Sequence, residues 1–331
     1  MTQTVLLTGI TGFIAKRIAA DLLAKGYSVR GSLRSPKREE EVRAALGHPE
    51  GLSFVTLDLT SDEGWTEAME GVDVLMHTAS PFPLSQPKDE QEIIKPAVDG
   101  TLRALRAAQA AGVTRVVLTA SMVSIMHVDR PDGHKFGPED WTDIEHPTAS
   151  PYVKSKTLAE KAAWDFVGQH PEMQLTTVHP GLVTGTPMDR HFGTSLDVVA
   201  RIFNGKDPMQ PNFCLPVVDL ADVSALHIAA METPASVGQR IIAADSAWMF
   251  PEIAKMLKAE FPDRKIATRI APKWLLRLLS LVDSSLQIVL PQLDRRIAVD
   301  NTQTLKTFDF TFVPARDSLL ASAKYLAKSA T

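Results

Sequence analysis

Residues 4–15 read Thr4-Val5-Leu6-Leu7-Thr8-Gly9-Ile10-Thr11-Gly12-Phe13-Ile14-Ala15, and this stretch decides the fold. The run TVLLT, rich in β-branched and leucine residues, predicts a strand. Glycines follow at 9 and 12, and a helical pattern opens behind them. A strand that turns on glycine into a helix aims unpaired helix amides at whatever lies beyond the strand's carboxyl end. Gly9 permits the tight turn, Gly12 lets backbone approach a pyrophosphate, and Ala15 lets the helix pack close to the strand. Gly9, Thr11, Gly12, Phe13 and Ile14 are therefore candidate contacts to a dinucleotide.

The pattern repeats downstream. Strands are expected at 4–8, 28–34, 52–57, 72–78, 113–119 and 174–179, with helices near 12–25, 37–46, 62–70, 90–111 and 151–169. Strand–helix alternation at this spacing predicts an α/β fold, a doubly wound parallel sheet of the Rossmann type. The apolar runs lack strict alternation, as strands covered on both faces should. After Pro180 the chain changes character: PGLVTGTP, KDPMQPNF and LPVV read as loops and short elements over a cleft. A helix near 219–231 and a strand near 239–243 are expected to rejoin the main sheet. The expected organisation is a dinucleotide-binding domain over 1–180, rejoined by 216–245, and a smaller, mostly helical substrate-binding lobe within 181–331. The apolar stretch 274–290 contains Arg277 and Asp283, so it reads as a buried amphipathic helix and not as a membrane span.

Tyr152 and Lys156 stand four residues apart in SPYVKSKTLAEKAAW, on one face of an expected helix. A phenol beside an ammonium is an acid–base pair, and the ammonium is expected to lower the phenol's pKa. Such a tyrosine can protonate a carbonyl oxygen while a hydride arrives from elsewhere. Ser121 ends the fifth strand, where carboxyl ends face the ligand crevice. It can hold a substrate carbonyl against the tyrosine, or cap the turn; Ser124 is a second candidate. Thr78, Ala79 and Ser80 follow the fourth strand, and their small side chains would let backbone pass beneath a cofactor.

The end of the second strand selects between cofactors. An NAD-binding fold usually places an acid there for the ribose 2′-hydroxyl. Here the chain reads Arg30-Gly31-Ser32-Leu33-Arg34-Ser35-Pro36-Lys37-Arg38, with no acid before Glu39. The cations suit a 2′-phosphate, which points to NADP(H). Arg34 leads, with Arg30, Lys37 and Arg38 behind it. Asp58, beside Leu59 after the third strand, could accept from an adenine amine or cap a helix.

Together TGITGFIA, VRGSLRS, HTASP, LTAS, YVKSKTLAEKAAW, HPGLVTG and VVDLADVSALHIAAM resemble the extended short-chain dehydrogenase/reductase family. The subgroup resembled is that of dihydroflavonol reductases, cinnamoyl-CoA reductases and yeast-type aldehyde/ketone reductases. The resemblance runs from about residue 3 to 245 and more loosely onward. It implies reversible NADPH-dependent reduction of an aldehyde or ketone. Tyr152 would give the proton, Ser121 would orient the carbonyl, and Lys156 would hold the nicotinamide ribose. It also implies that Pro180, Gly181, Leu182 and Val183 lie beside the nicotinamide, and that Ser195 makes a further cofactor contact unless it caps a helix. Phe82, Met122 and Met126 would wall the substrate pocket; an apolar Met126 argues against a flavonoid substrate. His127 reads as structural. A sugar epimerase or hydroxysteroid dehydrogenase/isomerase on the same scaffold, and a non-catalytic NADP(H) sensor, are the competing readings.

Composition narrows the field. A net charge of −4 gives no reason to expect nucleic acid as a partner. The single cysteine, Cys214, excludes an internal disulfide and reads as core. The N-terminal stretch lacks the pattern of a signal peptide. The expectation is a cytoplasmic monomer or homodimer acting on a small molecule, with neither metal nor membrane.

Overall fold

A computed structural model of the chain describes residues 2–81, 89–281 and 285–329. The first half runs β1 (Thr4–Thr8), α1 (Phe13–Ala24), β2 (Ser28–Leu33), α2 (Glu39–Ala45), β3 (Leu52–Thr56), α3 (Trp65–Met69), β4 (Val74–His77), α4 (Gln91–Ala110), β5 (Arg115–Thr119), β6 (Lys135–Phe136), α5 (Pro151–Gly168) and β7 (Gln174–Pro180). The second runs β8 (Leu182–Thr184), α6 (Gly193–Phe203), β9 (Cys214–Asp219), α7 (Leu220–Glu232), β10 (Arg240–Ala243), β11 (Ser246–Met249), α8 (Phe250–Glu260), α9 (Lys273–Leu279), α10 (Ser285–Val289), β12 (Ala298–Val299), α11 (Thr302–Phe308) and α12 (Ala315–Ser329).

Seven strands form one parallel sheet in the order β10-β7-β5-β4-β1-β2-β3. The order reverses at β1, so the crevice between β1 and β4 is the switch point where ligands bind in such sheets. β1 shows why the sheet is covered twice. Val5 and Leu7 enter the core shared with α1 and α7, while Leu6 enters the core shared with α3, α4 and α5. On α1, Ala15, Ile18, Ala19 and Leu22 form the buried stripe at helical spacing. Helix α5 starts where the chemistry of its first residues dictates. Ser150 Oγ accepts from Val153 N–H at 3.4 Å, and Pro151 occupies the first position.

The predicted return to the sheet is made by α7 and β10, whose Arg240–Ala243 pair with Thr177–Pro180 of β7. Residues 214–219 instead form β9, the centre of a second sheet ordered β11-β9-β8. The lobe therefore contains strands that the loop-like sequence did not announce. Cys214 is buried there, and burial pushes its thiol pKa up.

The stretch 274–290 departs from expectation. It forms two short helices, α9 and α10, and not one buried helix. Leu276 packs against Ala271 and Leu293, but Trp274, Leu278, Leu279 and Leu281 are exposed. A stripe this short finds only a small satellite cluster to cover it, so apolar composition did not become burial. Among the described residues no helix is long and apolar enough to cross a membrane.

Candidate active site

The carboxyl ends of β1, β4, β5 and β7 open onto a cavity of about 620 Å³. Its floor at one end is the glycine turn. Gly9 has φ +70°, and a Cβ there would lie 3.0 Å from Ala79 Cα. Gly12 N–H donates to Gly9 O at 2.9 Å, and a Cβ at Gly12 would lie 3.2 Å from that oxygen. The Thr8 hydroxyl ties the fourth strand beneath this turn, accepting from the Thr78 and Ala79 N–H groups, each at 3.0 Å. It lies 2.9 Å from Nδ1 of His77, whose pKa burial pushes down to about 3, so that ring is neutral. The bare backbone cradle and the start of α1 fit a pyrophosphate.

Helix α5 brings Tyr152 and Lys156 to the cavity wall, and β5 brings Ser121 opposite them. Ser121 is hydrogen-bonded to Tyr152, and its Oγ also accepts from Val123 N–H at 3.4 Å. This serine therefore caps the turn that follows β5 while facing the tyrosine. Ser124 is fully buried and directed at Glu160 Oε2 at 2.5 Å, which removes it as an alternative. One expectation is corrected. Burial pushes the Tyr152 pKa up to about 12, against the lowering effect of Ser121. Lys156, lowered to about 8 by burial, does not reverse this. Withdrawal from water acts on both groups, and each is driven toward its neutral form.

Gly9, Gly12, Phe13, Ile14, Thr78, Ser80, Pro180, Gly181, Leu182, Val183 and Ser195 all line the cavity. Thr11, Arg34, Arg38, Asp58, Leu59 and Ala79 do not. Arg34 lies close enough to Asp58 to lower its pKa, after the hydrogen bonds that Asp58 receives from Thr60. Asp58 Oδ1 accepts from the Thr60 N–H and hydroxyl at 2.7 and 2.6 Å, a local turn. Arg34 is exposed and makes no hydrogen bond or ion pair among the described residues. Arg38 makes a two-point ion pair with Glu41 at 2.9 and 2.6 Å. Arg30 is corrected: it donates to Ala68 O and Glu70 O at 2.8 and 2.7 Å, on the α3 side of the sheet. Ser195 sits in the first turn of α6 and does not cap it, since the N-cap is Phe192.

Met122 and Met126 also line the cavity, although both are buried. Phe82 lies outside the described residues. His127 is buried, held by Thr148 Oγ1 at 2.7 Å, and does not line the cavity. Sequence reasoning missed Thr119, Val123, Phe192, Gly193, Thr194, Val198, Leu215 and Pro216, which also line it. Leu215 and Pro216 arrive through β9, which pairs with β8 from Leu182↔Val217 onward. It also missed Lys16, buried in α1, whose ammonium pairs with Asp189 and thereby holds the 185–192 loop on the glycine-turn helix.

Gly181 shows how closely these elements meet. A Cβ there would lie 2.5 Å from Pro216 O and 2.8 Å from its carbonyl carbon. Backbone cannot rotate aside. Gly181→Ala is expected to cost roughly 1–3 kcal/mol of stability and to weaken cofactor binding by moving the 180–183 segment. Urea unfolding and NADPH titration check both.

The model of the NAD dependent epimerase/dehydratase family matches residues 5–242. The chain is 31% identical to cinnamoyl-CoA reductase 1 of Arabidopsis thaliana, covering 81% of this chain and 77% of that protein. It is 32% identical to tetraketide alpha-pyrone reductase 2 of Arabidopsis thaliana, covering 81% and 86%. Its structure is similar to that of yeast methylglyoxal/isovaleraldehyde reductase Gre2 complexed with NADPH, with a TM-score of 0.84 at 26% identity over 99% of both chains.

Proposed function

The chain belongs to the NAD dependent epimerase/dehydratase family, and we propose that within it the protein is an NADPH-dependent reductase of aldehydes and ketones, working reversibly. The observation that carries this reading is that Ser121, Tyr152 and Lys156 line one cavity with the glycine turn at Gly9 and Gly12. Relatives named as reductases, one of them solved with NADPH, support it.

Bound at the turn, NADPH supplies the hydride. Gly9, Thr11, Gly12, Phe13 and Ile14 would receive its pyrophosphate, and Arg34, with Arg38 released from Glu41, its 2′-phosphate. Asp58, Leu59, Thr78, Ala79, Ser80, the 180–183 segment and Ser195 would bed the rest. Ser121 holds the substrate's carbonyl oxygen and Tyr152 donates its phenolic proton to it. With a hydride delivered to the carbonyl carbon, that carbon would be reduced to an alcohol and Tyr152, having given up its proton, would be left as phenolate. Lys156, cationic near neutral pH, favours that phenolate and would hold the ribose hydroxyls.

The substrate end is apolar. Met122, Val123, Met126, Val198, Leu215 and Pro216 form it, and Lys156 is the one charged side chain among the described lining residues. A neutral carbonyl compound with an apolar or aromatic part fits such a wall; a carboxylated one finds no second counter-charge. We further assign residues 1–180, rejoined through 216–245, to cofactor binding and the remainder of 181–331 to the substrate. We place the protein in the cytoplasm, as a monomer or homodimer.

NADPH depletion over a panel of neutral and charged aldehydes and ketones of graded size tests the reading. Turnover concentrated in the neutral, apolar members is the expected result. Tight NADPH binding without turnover on any of them would make the protein a sensor. The epimerase alternative is disfavoured by Arg34, which stands where an acid would serve NAD.

A further inference from the structure

Tyr152, Lys156 and Glu160 follow one another at four-residue spacing on α5 and share one stripe of the helix. The first two reach the cavity; Glu160 lies behind it, 1% exposed. A carboxylate buried this deeply persists as an anion only when its oxygens are matched. Oε1 accepts from His179 Nε2 at 2.8 Å and from Arg240 Nε at 2.7 Å. Oε2 accepts from Arg240 Nη2 at 3.2 Å and from the Ser124 hydroxyl at 2.5 Å. Trp164 Nε1 at 3.2 Å and Thr177 Oγ1 at 3.5 Å complete the shell. The charged and titratable groups facing it are thus Lys156 on its own helix, His179 of β7 and Arg240 of β10. Burial alone would raise the Glu160 pKa, but His179 and Arg240 hold it well below the usual carboxylate range.

An ion pair in a core needs no link to a catalytic turn, and this one has such a link. Ser124 N–H donates to Ser121 O at 3.0 Å; its Oγ also lies 2.8 Å from that oxygen, but the single hydroxyl proton goes to Glu160, so the backbone bond carries the link. Glu160, Ser124 and Ser121 therefore run as a continuous chain from the back of α5 to the end of β5. On the front, Ser121 meets Tyr152 from the same helix.

We propose that Glu160 is a positioning residue for the reduction, fixing the Ser121 turn against α5 through the Ser124 hydroxyl. One helical turn from Lys156, its carboxylate also acts on that side chain. The inference rests on the reductase reading above. Its two arms separate by substitution. Ser124→Ala cuts the link and leaves every charge in place. Glu160→Gln removes the charge that opposes the lowering of the Lys156 pKa.

The experiment measures carbonyl reduction with NADPH against pH for the wild type, Ser124→Ala, Glu160→Gln and Glu160→Asp. Ser124→Ala is expected to lose roughly ten- to a hundredfold in kcat, as a displaced catalytic group does, with KM for NADPH and the alkaline limb of the pH profile unchanged. Glu160→Gln is expected to move that limb to lower pH, and Glu160→Asp, which keeps the charge, to return it. Because Glu160→Gln strips a partner from a buried guanidinium, Ser124→Ala decides the matter if that variant does not fold. Wild-type kcat in Ser124→Ala would overturn the positioning role, and an unmoved limb in folded Glu160→Gln would overturn the electrostatic one. A wild-type enzyme without turnover would instead sink the reductase reading itself.

Discussion

Tyr152→Phe is expected to lower kcat for carbonyl reduction by about 10²–10⁴-fold, the usual contribution of a positioned general acid, while NADPH affinity stays nearly intact. The substitution removes one oxygen and leaves the ring to fill its place. That oxygen is the group hydrogen-bonded to Ser121. Burial pushes its pKa up to about 12, so in the free protein the phenol carries its proton across the neutral range. The direction of the reaction then fixes the pH dependence. Reduction consumes the phenol and is supported at neutral pH; alcohol oxidation needs the phenolate, so its rate rises as pH climbs toward the tyrosine pKa. Initial rates in both directions, wild type against Tyr152→Phe, check the claim. Unchanged activity would remove Tyr152 from the chemistry.

Arg34→Asp is expected to shift the NADPH:NADH preference, as a ratio of kcat/KM values, by one to two orders of magnitude toward NADH. A hydrogen bond to a charged group contributes about 1.5–3 kcal/mol, and the new carboxylate would repel a 2′-phosphate as well. Arg34 is the cation suited to this. Arg30 is spent on carbonyls beneath the sheet, and Arg38 is held by Glu41, whereas Arg34 is exposed beside Asp58 with no hydrogen bond among the described residues. A ratio that does not move would clear Arg34 of the role.

The Rossmann half was legible in the sequence because each of its strands is continuous and announced by local composition. The expected bounds of β1, 4–8, are those of the structure, and the helix expected over 151–169 is α5, Pro151–Gly168. The second lobe was less legible. Its sheet joins β8, β9 and β11, three short strands drawn from distant parts of the chain, and β9 carries Pro216 in its middle. Locally such pieces read as loops, and only their pairing makes them strands. For the same reason Leu215 and Pro216 carry no local signal of lining the pocket. The tyrosine's acidity was misjudged too: sequence shows Lys156 beside Tyr152, but not the burial that outweighs it. For 274–290, hydrophobicity was visible and the absence of a covering surface was not.

The main sheet has a further consequence, for how the protein is made. β7 gains its outer neighbour, β10, only after residues 181–239, with β8, α6, β9 and α7, have been made. While the chain emerges from the ribosome, β1–β5 and β7 can assemble with β7 as a bare margin, its backbone donors and acceptors open to any passing strand. A chain cut at Pro180 would keep the dinucleotide turn, Tyr152 and Lys156, yet carry that bare margin permanently and tend to clump with its own copies. The half that looks self-contained by motif is, by hydrogen bonding, finished from the far side of the molecule.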